Sequence, residues 1–282
     1  MALQGDGPQA IAVMWALTGL VFVFVILRTY TRVFLVHWYG MDDHVYIISF
    51  FFLMINTICT TIAGHYGFGQ DTSAVATKDP ELVINALLLE SIGQTFAVLG
   101  MALAKWSLGL FLLRIVQELW HKIAIWGMMC ILMGISIATV FVFWFQCKPI
   151  RYLWDQRGDG ECHVDVLPAC LLLGVICVLT DLFFALFPWI ILWNLQINKR
   201  EKMVILASMS LGVVAAACGI KRCTEVPELA TDNYLKDTVG IIVWSAAEMA
   251  VTLICIGIPV IRPIYKPFLD KWISRNRSKY KD

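Results

Sequence analysis

The chain has 282 residues, of which 59% are hydrophobic and only 15% charged, with a mean hydropathy of +0.74. Soluble domains carry about a quarter charged residues, so composition excludes an ordinary soluble globular protein and indicates a multi-pass protein of the plasma membrane or an endomembrane. The formal net charge of +1 is uninformative by itself, since it sums over both sides of the membrane, and nucleic acid is not an expected partner.

Seven apolar segments, at 10–27, 42–64, 82–113, 123–145, 166–193, 203–222 and 238–258, reach the roughly 20 residues needed to cross a ~30 Å hydrocarbon layer. Lipid offers backbone groups no hydrogen-bond partner, and unbroken apolar runs lack the alternation of barrel strands, so the segments are expected to be helices. The connections are short and no low-complexity linker divides them. The fold class expected is therefore all-α, a seven-transmembrane helix bundle over 10–261, preceded by a short outer stretch, 1–9, and followed by a basic tail, 262–282.

The first ten residues, MALQGDGPQA, contain no basic region, so the first segment is read as a span rather than a signal peptide. It ends in Arg28 and Arg32, and the second begins at Asp42 and Asp43. Lys and Arg crowd one set of helix ends (Arg28, Arg32, Arg114, Lys122, Lys199, Arg200, Lys202 and the tail) and are sparse on the other (Lys78, Lys148, Arg151, Arg157, Lys236). By the positive-inside rule the amino terminus lies outside and the carboxyl terminus is cytoplasmic.

In the third segment Glu90, Gln94, Ala97, Met101 and Lys105 fall on one stripe at 3.6 residues per turn. Lys105 is placed by depth near the cytoplasmic surface, where a structural ion pair with Asp42 or Asp43 is expected. Between the fourth and fifth segments, CKPIRYLWDQRGDGEC carries Cys147 and Cys162, expected to form a disulfide, with Cys223 as the alternative partner. Asp181 lies in the fifth segment. Glu248 lies in the seventh, one turn after Trp244.

Glu90 and Glu248 occupy similar depths in the outer half, a zone with surplus acid unless Lys221 or Arg222 reaches inward. A carboxyl removed from water with no cation beside it can keep a proton and donate it. Equally, these groups can hydrogen-bond across helices and hold them together. The histidines are scattered and no metal-ligand spacing occurs, so neither a metal nor a cofactor is expected. The seventh segment has no lysine, and hence no Schiff-base amine for retinal.

LRTYTRVFLVHWYGMDD, QCKPIRYLWDQRGDGEC and DLFFALFPWIILWNLQINKREKMVILASMSLGVVAAACGIKRC together resemble the fungal rhodopsin-like integral membrane family. Its Arg-x-Tyr-x-Arg and Gly-x-Asp-Asp pairing matches Arg28, Tyr30, Arg32, Gly40, Asp42 and Asp43. The resemblance spans roughly residues 10 to 268 and implies seven spans in the orientation above. It supplies no agreed catalytic set. Family members include receptor-like proteins and proteins of secondary-metabolite clusters, satratoxin's among them. The Cys-rich outer domain and long cytoplasmic tail of receptor-like members have no counterpart in this sequence, which is expected to weaken a signalling role.

The expected function is binding or transforming a small hydrophobic molecule, within a secondary-metabolite pathway as the resemblance implies. Were it catalytic, acid-initiated cyclisation or isomerisation would use Glu90 or Glu248 as proton donor and Asp181 as base or electrostatic stabiliser. Gln94 and Trp244 would line the ligand site. A receptor-like sensor and a transporter are the alternatives, and membrane lipids are partners on any of these readings.

Overall fold

A computed structural model describes residues 5–155, 157–193, 199–231 and 233–264. The chain runs as α1 (Gly7–Tyr30), α2 (Met41–His65), a short α3 (Thr72–Ala76), α4 (Pro80–Ile115), α5 (Leu119–Phe145), β1 (Cys147–Lys148), β2 (Glu161–Cys162), α6 (Leu167–Trp193), α7 (Lys199–Glu225), a short α8 (Tyr234–Asp237) and α9 (Val239–Val260). Among the described residues, six helical segments are long and apolar enough to cross a membrane: Gly7–Leu35, Met41–His65, Pro80–Arg114, Leu119–Phe145, Leu167–Phe187 and Tyr234–Val260. The 27-residue α7 packs between α6 and α9 as a further long helix of the same bundle.

Hydrophobicity cannot say which helices are central, because lipid and protein interior are equally apolar. Burial can. The spans built on α4 and α9 are 61% and 67% buried, against 22% for α1 and α5. Phe22, Val23 and Ile26 of α1, with Ile131, Ile137 and Phe141 of α5, accordingly stand exposed on the outside of the bundle, as lipid-facing groups should. The polar residues of α4 and α9 face inward instead. Glu90, Lys105, Ser245 and Glu248 are all buried.

One end of the bundle is stitched by loops. Cys147 and Cys162 are joined by a disulfide and pair in register across the β1–β2 ribbon, as the sequence led one to expect. Gly69 donates to the Leu235 carbonyl at 2.9 Å and accepts from the Asp6 amide at 3.2 Å, tying α1 and α8 to the turn after α2. That turn requires glycine, since Gly69 has φ +86° and a Cβ there would lie 2.5 Å from the Gly7 nitrogen. At the opposite end α1 widens into a π-helical turn, Thr31–Leu35, that carries Arg32. The basic tail beyond Ile264, with most of the α6–α7 connection, lies outside the described residues.

Candidate functional site

Four charged side chains meet inside the bundle, one from each of α4, α6, α7 and α9. Lys105 Nζ lies 3.0 Å from Asp181 Oδ2 and 2.7 Å from Glu248 Oε1, and donates a third hydrogen bond to the Cys177 carbonyl at 2.9 Å. An ammonium has three donors, so Lys105 is saturated. Arg222 Nε donates to the other Glu248 oxygen at 3.0 Å. All four side chains are at least nine-tenths buried. By formal charge the two cations and two carboxylates cancel, in a region where an unpaired charge costs several kcal/mol.

The close fit of this quartet relies on a small residue. Gly219 of α7 faces α9, and a Cβ there would come within 3.1 Å of Glu248 Oε2 and 2.9 Å of Val178 Cγ2. A larger residue there would force the Val178 or Glu248 side chain to shift.

This geometry corrects the expected ion pair. Lys105 does not meet Asp42 or Asp43, because Ser107 faces them, donating to the Asp42 carbonyl at 3.0 Å. Two residues along a helix turn the side chain by roughly 200°, so Lys105 points to the far side of α4. Depth misled for a second reason: α4 has 36 residues, ~54 Å at 1.5 Å per residue, so its residues do not map simply onto bilayer depth. The surplus of outer acid at Glu248 is also absent, since Arg222 reaches inward to it.

Asp42 and Asp43 are held instead by arginines from α1 and its π-helical extension. Arg28 Nε and Nη2 donate to Asp43 Oδ1 and Asp42 Oδ2 at 2.8 and 2.9 Å, and Nη1 reaches the Ile256 carbonyl of α9 at 3.2 Å. Arg32 Nη2 adds a bond to Asp42 at 3.1 Å. Asp43 also accepts from the Gly40 amide at 3.0 Å, capping α2. The Arg28 guanidinium lies 4.6 Å from the Tyr46 ring centroid, and Tyr46 Oη donates to the Leu253 carbonyl of α9 at 3.0 Å. The sequence held a signal for this cage: arginines one turn apart opposite adjacent acids, across a short reversal.

Two adjoining cavities lie toward the disulfide end. The wider, about 460 Å³, lies beneath the Cys147–Cys162 loop and is lined by Leu87, Ser91, Tyr152 and Val166 among others. The narrower, about 50 Å³, lies among Gln94, Met101, Cys170, Arg222 and Ser245. Phe143, Leu229 and Tyr234 line both, so the wider cavity, a vestibule, and the narrower, a recess, adjoin at these three side chains. Tyr234 Oη donates to Glu90 Oε2 at 3.1 Å, while Glu90 Oε1 has no hydrogen-bond partner.

Of the residues assigned to a site from sequence, Asp181 and Glu248 therefore come together on Lys105, and Glu90 stands apart on Tyr234. Gln94 lines the recess. Trp244 is half-buried and outside the lining of either cavity.

Comparison with known proteins matches the fungal rhodopsin domain over residues 27–267. The chain belongs to that family. It is 27% identical over 177 residues to Receptor GIN3 of Arthrobotrys oligospora, covering 62% of this chain and 42% of that protein. It is 31% identical over 86 residues to an SAT4 family membrane protein of Emericella nidulans, 30% of this chain and 22% of that one. Satratoxin biosynthesis SC1 cluster protein 4 of Stachybotrys chartarum is 25% identical over 130 residues, 46% of each chain. The chain thus spans less than half the length of these relatives. No solved structure matches. The fungal rhodopsin domain match encloses every member of the charge quartet and the arginine cage, as well as both cavities.

Proposed function

We propose that this protein is a receptor-like binder of a small, largely apolar molecule, with seven spans, its amino terminus outside and its vestibule open to the outer face. The observation that supports this reading best is the vestibule of about 460 Å³ adjoining a recess lined by Arg222. Ligand pockets are typically ~300–1,000 Å³, apolar, with a few polar groups. Arg222 in turn holds Glu248, which Lys105 ties to Asp181, so an occupant that shifts Arg222 acts on α4, α6, α7 and α9 together. The α9 helix continues to the carbonyls of Leu253 and Ile256 that anchor the arginine cage. The Arthrobotrys relative is named a receptor, which agrees with this reading.

Saturable binding of the fluorescent apolar probe 1-aminoanthracene to protein in lipid nanodiscs tests it. Leu229→Trp, which adds bulk where the two cavities adjoin, should abolish saturation while leaving lipid partitioning unchanged; identical curves for the two proteins would refute a vestibule site. A cysteine introduced at exposed Gly158 should react with an impermeant maleimide in intact cells, and one at Lys122 only after permeabilisation. The reverse pattern overturns the orientation.

A role in metabolite biosynthesis is a second reading, supported by the name of the Stachybotrys relative. Acid catalysis would then rest on Glu90, which has an unengaged oxygen, because Asp181 and Glu248 are each held by a cation. Unchanged product from Glu90→Gln in a reconstituted pathway would remove it.

A further inference from the structure

The recess is lined by a guanidinium that is incompletely paired. Arg222 is 5% exposed, its Nε is engaged by Glu248 at 3.0 Å, and its Nη2 has no hydrogen-bond partner. A guanidinium nitrogen left this way forfeits a charge-assisted bond, worth more than a neutral one. Gln94, across the same recess on α4, brings an amide with both a donor and an acceptor. Ala97, Val98, Met101, Leu173 and Ile241 make the rest of the wall largely apolar, and the hydroxyls that also line it are spent, those of Thr95, Thr139 and Ser245 on carbonyls of their own helices and that of Tyr234 on Glu90. At about 50 Å³ the recess holds a functional group rather than a molecule, and the adjoining vestibule of about 460 Å³ holds a body.

We infer that the ligand is an uncharged amphiphile with an apolar body in the vestibule and a single carbonyl-type oxygen in the recess, accepting a hydrogen bond from the Arg222 guanidinium. This rests on the vestibule reading above and specifies the chemistry it selects. The acceptor is neutral because the quartet is already balanced. A carboxylate would leave a net negative charge where desolvation is expensive and no further cation lines the recess. A hydrocarbon without the oxygen would fill the vestibule and leave the guanidinium incompletely paired.

The test is displacement of 1-aminoanthracene from protein in nanodiscs by three probes of equal length: 2-pentadecanone, pentadecane and pentadecanoate. The expected order is ketone tightest, with the alkane weaker by about tenfold or more, the scale of a hydrogen bond to a charged group, and the carboxylate weaker than the ketone. Arg222→Lys keeps a cation for Glu248 but has no second nitrogen to present, so the ketone's advantage over the alkane should disappear in it. Equal displacement by ketone and alkane on the unaltered protein overturns the inference without any variant, as does a carboxylate that binds tightest. Retention of the full ketone preference in a folded Arg222→Lys protein does so too. In each of these cases saturable binding that Leu229→Trp abolishes leaves the vestibule reading standing, whereas loss of saturable binding altogether defeats the vestibule itself.

Discussion

Replacing Lys105 with methionine isolates the energetics of the quartet. The side chain is fully buried and serves two carboxylates that are themselves 2% and 0% exposed. Removing it leaves Glu248 with Arg222 but strands Asp181 without a cation. Breaking a buried pair from one side costs about 3–5 kcal/mol, most of it from the charge left behind. Lys105→Met should therefore lose about that much in reversible detergent-denaturation assays of purified protein. Asp181→Leu alone should cost less, since Lys105 keeps Glu248 and the Cys177 carbonyl. The double variant, neutral again, should be more stable than Lys105→Met alone, with a coupling of roughly 0.5–3 kcal/mol between the sites. Asp42→Asn, by contrast, should add independently to Lys105→Met. A coupling found with Asp42 and none with Asp181 would refute the assigned network.

Other outcomes follow from the same geometry. Arg28→Ala removes three hydrogen bonds from a buried site and should cost about 3–5 kcal/mol. Arg114→Ala, at 3.7 Å from Asp42 and 30% exposed, should cost under about 1 kcal/mol by the same denaturation assay. Cys147→Ala opens a loop of sequence separation 15 and should lower stability by about 3 kcal/mol, an effect that reductant reproduces in the unaltered protein. Tyr234→Phe leaves Glu90 without its donor and should cost about 1–3 kcal/mol; a loss near zero would mean that water replaces the hydroxyl.

The spans were legible because lipid imposes a length: segments read at 42–64, 166–193 and 238–258 correspond to Met41–His65, Leu167–Trp193 and Val239–Val260. The disulfide was legible from its setting between two spans. What could not be read from one-dimensional depth was rotation. Level alone pairs Lys105 with Asp42 or Asp43, although the stripe it shares with Met101 turns it toward α6, where Cys177 Sγ meets Met101 Sδ at 3.6 Å. Nor do apolar patterns locate Arg222. It sits at the end of a span where a cation normally reaches for water or headgroups, and only the approach of α7 to α9 past Gly219 reveals that it turns inward. The short α3 and α8 lacked any length signal, yet they help to close the vestibule through Thr72 and Tyr234.

The balance of the quartet has an electrical corollary. The work done by a membrane potential on a moving group scales with its net charge, about 2.3 kcal/mol per elementary charge for each 100 mV, and two cations locked to two carboxylates sum to nothing. Shifting the four as a block, whatever the distance, is thus indifferent to the voltage across the bilayer, so that on the receptor reading proposed above the stimulus left to this junction is chemical occupancy.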